Sequence, residues 1–225
     1  MTPISTIIPK EKPSIRNLFV NDRFCQMERT IQIVEKPDWV SWDDIHDVLW
    51  AAHAENRKQG IVMRYASLTG EEIRERIEGK GKLFCAIDGN KVVGTGALVL
   101  RNYYLWFTKG YEPFGYMCFA AVLPEYTGKG IYKQLILKRE QYCRERGLNR
   151  MMFDTHERNI HTREIMEKFN FKPVSYTFYR DHFNVVMVKW FEGCPYSDFR
   201  LKYEFDKKKL KANIKRILRL FSKKN

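Results

Sequence analysis

Residues 117–132 constrain this chain more than any other stretch. An apolar run, Met117 to Val122, stops at Pro124; Gly128 and Gly130 then open a long helical pattern from Ile131. A strand, a glycine turn and a helix start in that order leave backbone N–H groups uncovered at the helix N-terminus. Those donors and the positive end of the helix dipole favour a phosphate-bearing ligand. Glycines let the backbone approach such a ligand with no Cβ in the way. The spacing fits neither a P-loop, which needs four residues between its glycines and then Lys-Ser/Thr, nor a dinucleotide fingerprint, whose third glycine is replaced by Lys133. A bare Gly-x-Gly is also compatible with a plain turn.

A second pattern follows. After a helix read over 129–146 comes the short apolar run Met151-Met152-Phe153, then Asp154-Thr-His-Glu-Arg-Asn159. A further helical segment over 160–169 stops at Asn170, a residue type that tolerates the left-handed helix-ending conformation, and Phe171 follows. This succession resembles the GCN5-related N-acetyltransferase (GNAT) family. The family's pyrophosphate signature falls on Thr127-Gly128-Lys129-Gly130-Ile131-Tyr132. Its second signature falls on Asn159, Thr162, Met166 and Asn170-Phe171. The resemblance covers roughly residues 30–191 and is most specific over 117–172.

The resemblance implies acetyl-CoA as co-substrate and transfer of its acetyl group to the amine of a small molecule by direct attack in a ternary complex. The strand at Ala121 and Val122 would pair with the pantetheine arm. Gly128, Lys129, Gly130, Ile131 and Tyr132 would offer backbone N–H groups to the pyrophosphate. Asn159 would bond the pantetheine or cap its helix, and Lys168 would neutralise a phosphate. The chain departs from the pattern in three places. Thr127 stands where Arg or Gln is usual, Tyr132 where a small residue is usual, and Met166 where a tyrosine protonates the leaving thiolate. A thioether cannot donate a proton.

The base is also unsettled, because the strand before the glycine turn carries no carboxylate. Asp154, His156 and Tyr116 are the catalytic candidates. His156 stands first, since its unperturbed pKa lies near working pH. Cys118, inside an apolar strand, reads as inert core and not as a nucleophile. For the acceptor, Arg64 and Tyr65 form one candidate segment and Trp106 and Phe114, with neighbouring aromatics, another. The aromatics fit a stacking wall for an amino sugar or a satellite core.

The remaining elements read as β-α-α-β-β-β-α-β-α-β-β. They include a strand at 30–34, helices capped by Ser41 and Thr69, and strands at 82–87 and 91–100 joined by Asp88-Gly89-Asn90. This layout gives a mixed α/β fold: a mostly antiparallel sheet of about six or seven strands with helices on both faces. Three segments result: an irregular arm over 1–29, the transferase domain over 30–191, and a basic extension over 192–225.

The net charge of +13 is concentrated in that extension. Residues 200–225 hold eleven Lys/Arg against Glu204 and Asp206, so +9 sits there and +4 in the rest. A helix capped by Asp206 would carry Leu210, Ile214, Ile217, Leu218 and Phe221 on one face, with lysines around them. Such a helix fits an anionic membrane surface, a docking face on the domain, or a second subunit in a homodimer. No recognition motif accompanies the charge, so nucleic acid is not expected. Five cysteines without ligand spacing, no spanning apolar run and no signal-peptide centre point to reduced thiols, no metal and a cytoplasmic location, peripheral at a membrane if the tail binds one.

Overall fold

The computed structural model describes residues 31–61, 64–102, 106–107, 112–179 and 182–222. The arm read over 1–29, the first residue of the 30–34 strand, and Tyr103, Tyr104 and Tyr111 of the aromatic connection lie outside them.

Seven strands form one sheet: β1 (Gln32–Glu35), β2 (Gly81–Asp88), β3 (Lys91–Asn102), β4 (Pro113–Val122), β5 (Arg150–His156), β6 (Lys172–Tyr179) and β7 (His182–Trp190). Their order across the sheet is β1-β2-β3-β4-β5-β7-β6. Every pairing is antiparallel except β4 with β5. Parallel neighbours need a crossover, and α4 (Ile131–Glu145) supplies it. The hairpin between β2 and β3 pairs Asp88 with Lys91, leaving Gly89-Asn90 as a two-residue loop with Gly89 at φ +59°.

Local signals place the helices on the first half of the sheet. Helix α1 (Trp42–Ala52) begins with a complete capping box: Ser41 Oγ accepts from Asp44 N–H at 3.0 Å and Asp44 accepts from Ser41 N–H at 2.8 Å. A five-residue helix, α2 (Ala54–Lys58), and a 3-10 turn (Arg64–Ser67) follow, both absent from the periodicity reading because each is too short to show one. Helix α3 (Gly70–Ile77) repeats the box with Thr69 and Glu72 at 3.2 and 2.8 Å. Each cap is worth about 1 kcal/mol.

Helix α5 (Ile160–Lys168) ends as its sequence suggests. Asn170 sits at φ +65°, Phe171 N–H reaches back to the Met166 carbonyl at 3.1 Å, and the Phe171 ring is fully buried against Phe153. Helices α4, α5 and α6 (Asp198–Ser222) cover one face of the sheet; α1 and α3 cover the other. The main core lies between α4 and the sheet and between α1, α3 and the sheet.

Helix α6 differs from its expected start. Ser197 caps it, its Oγ accepting from Arg200 N–H at 3.3 Å, and Asp206 lies well inside it. Leu201, Phe205 and Ala212 join the cores. The extension is thus built onto the same sheet, and the boundary at 191 separates sequence compositions, not cores.

Candidate active site in a split sheet

The sheet opens at its centre. Strands β4 and β5 pair only at Gly115 with Met151 and Tyr116 with Met152, and beyond those positions no ladder joins them. The segments Met117–Val122 and Phe153–His156 therefore diverge, and the β5-facing backbone of β4 is left for another partner. A bulge bends β4 away at this point. Ala97 pairs with Cys118 and Thr95 with Ala121, so Phe119 and Ala120 stand opposite Gly96 alone. Phe119 adopts φ +50°, unusual for a bulky residue and frequent at functional sites. Gly96 is crowded instead: a Cβ there would stand 3.1 Å from the Arg139 guanidinium carbon, which would have to shift by a few tenths of an ångström.

The glycine turn lies at the end of the same strand. Gly128 and Gly130 have φ of +78° and +74°, and a Cβ at either would meet nothing within 4 Å. Their requirement is the left-handed backbone, not crowding. Gly130 is the N-cap of α4 and supplies no side-chain acceptor, so the first N–H groups of the helix have none from the cap. Lys129 is exposed, its ammonium 4.7 Å from the Tyr126 ring centre. Open donors, a helix dipole and a nearby cation make this turn fit a phosphate group.

On the α1 side of the split, β5 and β7 bring a polar group together. The Tyr116 hydroxyl donates to Asp154 Oδ1, and Asn184 Nδ2 donates to Asp154 Oδ2 at 2.7 Å. His156, on the same face two residues on, stacks on His182 at 5.0 Å, and its Nδ1 accepts from Arg158 N–H at 3.1 Å. Arg158 Nη2 donates to the Gln59 carbonyl at 2.7 Å and so ties the α2 end to the end of β5. The candidates Tyr116, Asp154 and His156 are thus neighbours on β4 and β5. The arrangement can take a proton from a group held beside the split.

A family model described as acetyltransferase (GNAT) family matches residues 42–171, more than half of the chain. The chain belongs to the GNAT acetyltransferase family. Solved structures agree in fold. A GNAT-family protein from Desulfovibrio desulfuricans superposes at a TM-score of 0.57 with 13% identity, over 72% of this chain and 99% of that one. The yncA protein of Salmonella typhimurium, solved with its cofactor acetyl-CoA, gives 0.53 and 13% over 75% and 98%. Arabidopsis thaliana NAA60 in complex with acetyl-CoA gives 0.52 and 15% over 73% and 100%. No curated protein matches the chain.

Two residues beside the bulge, His53 and Asn56, carry no signal in the sequence. His53, at the end of α1, reaches the bulge: its Nε2 lies 3.2 Å from the Ala120 carbonyl and bonds the Tyr65 hydroxyl. Asn56 Nδ2, donating to His53 Nδ1 at 3.1 Å, assigns the proton to Nε2. Nε2–H is then offered to the carbonyl and to the phenolic oxygen, and the Tyr65 proton is left to point elsewhere. Burial lowers the His53 pKa from 6.5 and raises that of Tyr65 well above 10, so both are neutral near pH 7. Tyr132 from α4 and Cys118 from β4 both act electrostatically on Tyr65.

Arg139 is the other residue missed. It is fully buried, donates Nε to the Leu135 carbonyl at 2.9 Å, and has no carboxylate beside it among the described residues. Its place at i+4 and i+8 from Leu135 and Ile131, on the apolar face of α4, was the readable signal.

Other expectations are corrected. Phe114 is 0% exposed and Trp106 donates Nε1 to the Val174 carbonyl at 2.8 Å, so both belong to a satellite core with Trp190 and Tyr196, not to a stacking wall. Asn159 is buried: Oδ1 accepts from Thr162 N–H at 3.3 Å and Nδ2 donates to Thr155 Oγ1 at 3.2 Å. It caps α5, the second of the two roles expected of it. Lys168 is exposed in the last turn of α5, about 13 Å along the helix from that cap. Thr127 Oγ1 donates to the Pro124 carbonyl at 2.8 Å and shapes the turn. Burial pushes the Cys118 thiol up to about 12, which leaves it inert. Met166 is fully buried in the core. Arg64 opens the 3-10 turn, and its side chain lies outside the described residues.

Proposed function

We propose that the protein is an acetyl-CoA-dependent N-acetyltransferase acting on a small amine. The observation that carries this reading is the opening of the sheet beyond Tyr116, directly beside the Tyr116–Asp154–Asn184 group. The residues fit the co-substrate: the free edge of β4 at Ala121 and Val122 suits an extended amide arm, and the turn at Gly128–Tyr132 suits a pyrophosphate.

The amine reaches the split from the α1 side and, in its neutral form, donates a hydrogen bond to the Asp154 carboxylate. As nitrogen attacks the acetyl carbon, its surplus proton passes to Asp154 directly or through the Tyr116 hydroxyl. Backbone donors at the Phe119 bulge face the developing oxyanion. The C–S bond then breaks and the sulfur takes the proton of Tyr65, whose oxygen is held by His53. Solvent returns the Asp154 proton to Tyr65, so the amide and free CoA are the only products. Tyr65 thereby fills the role that Met166 cannot. The amino-sugar acceptor loses its support once Trp106 and Phe114 belong to a core.

The test is thiol release from acetyl-CoA by the full chain across a panel of small amines. Turnover on at least one amine is expected, with Asp154→Asn and Tyr65→Phe each lowering kcat while CoA affinity stays unchanged. Tight CoA binding with no turnover on any amine would make the chain a non-catalytic acyl-CoA module.

A further inference from the structure

Helix α6 carries two apolar faces, and the fold uses one. Leu201, Glu204 and Ala212 are buried, while Phe205 packs edge-on against Tyr176 at 5.7 Å. Arg216 and Arg219 lie over the rings of Phe183 and Phe178 at 5.4 and 6.0 Å. At 3.6 residues per turn these positions share one side of the helix. Tyr203, Leu210, Ile214, Ile217, Leu218 and Phe221 fall on the opposite side, and all are exposed, Leu210 at 63% and Phe221 at 68%. Docking on the sheet therefore cannot be the reason for them. A stripe of this length on one helix is far more than scattered surface apolarity.

Charge decides what can cover it. From Lys207 to Ser222 the helix holds seven Lys/Arg and no carboxylate. Lys207, Lys211 and Lys215 border the stripe on one flank and Lys202 and Lys209 on the other. A second copy packed stripe to stripe would bring two such rows together, and like charges across an interface oppose association. A convex, apolar ridge with a basic border matches an anionic lipid surface, where the side chains enter the acyl boundary and the ammonium groups stay at the headgroups. We propose that α6 seats the protein on anionic phospholipid bilayers, lying in the interface plane with its other face fixed to the sheet. Among the described residues no helix is long and apolar enough to cross a membrane, so this is surface attachment.

Sedimentation of the full chain with vesicles of neutral lipid alone, or of neutral lipid with phosphatidylserine, tests the proposal independently of any acetyl transfer. Binding is expected only to the anionic vesicles, weakening as salt rises, and at least ten-fold lower for an Ile217→Glu/Phe221→Glu double variant. Both positions are exposed, so an unchanged melting temperature is expected for that variant. Equal sedimentation of wild type and variant, or none with anionic vesicles, overturns the proposal. So does a dimer seen by light scattering in lipid-free solution that the same double variant dissolves, since the stripe would then belong to a second copy.

Discussion

Replacing Gly130 by Asp or by Asn separates the charge of the proposed phosphate seat from its shape. Both residues tolerate the left-handed backbone, and at φ +74° each costs about 1 kcal/mol relative to glycine. A Cβ at this position meets nothing within 4 Å, so no clash adds to that cost. The two variants have nearly the same volume and differ by one negative charge. At about 6 Å from a phosphate, and with an effective dielectric of about 20, that charge is worth roughly 2.8 kcal/mol of repulsion. The turn is exposed, and salt screening roughly halves the figure. CoA affinity by calorimetry should therefore fall only a few-fold for Gly130→Asn and about a further ten-fold for Gly130→Asp. Melting temperatures of the two should agree within a few degrees. Equal affinities for the Asn and Asp variants would place the anion away from this turn and refute the assignment of Gly128–Tyr132.

Asp154→Asn should lower kcat about 10²–10⁴-fold with CoA affinity unchanged, read by thiol release and calorimetry. Phe114→Ala should cost about 3–5 kcal/mol in denaturant unfolding; a changed acceptor KM with normal stability would return Phe114 to the site. Burial holds the His53 pKa below 6.5, so its contribution to stability is complete above pH 6.5 and falls as pH drops through the window between 6.5 and the folded value. His53→Gln should remove that part of the loss between unfolding curves at pH 7.5 and 5.5. With its thiol pushed up to about 12, Cys118 should resist iodoacetamide at pH 8, and Cys118→Ala should keep full activity.

What the sequence disclosed was whatever local chemistry writes down. Ser41 and Thr69 mark caps by spacing to Asp44 and Glu72, Asn170 ends a helix by its own backbone preference, and Gly89-Asn90 closes a hairpin. The glycine turn is legible for the same reason. The bulge at Phe119 is not, because nothing in Cys118-Phe119-Ala120 differs from an ordinary strand until β3 and α4 are packed beside it. Tyr116, Asp154 and Asn184 come from three strands far apart in the chain, so only the sheet order brings them together. The Trp106–Phe114 segment shows the converse. Aromatic density fits a wall or a core equally, and the Val174 carbonyl and Trp190 decide for the core.

The two halves of the site should therefore vary differently among relatives. The proposed seat for the co-substrate is made of backbone: a ladder that stops after Tyr116, a two-against-one bulge and a glycine turn. Backbone features need few fixed side chains, which is how structures of 13 to 15% identity keep the same fold at TM-scores above 0.5. Proton transfer depends on side-chain atoms, and any element bordering the split can supply them. Here the proposed base stands on β5 and the proposed acid on the 3-10 turn after α2, while the helix position that usually provides the acid has become the buried Met166. Restoring a tyrosine at that position tests the argument. Met166→Tyr adds a hydroxyl in a fully packed core, and overpacking costs about 1–3 kcal/mol. In a Tyr65→Phe background it should recover part of the lost kcat if its hydroxyl reaches the split. Should Tyr65→Phe leave kcat intact, the proton comes from elsewhere and the reassignment of the acid fails.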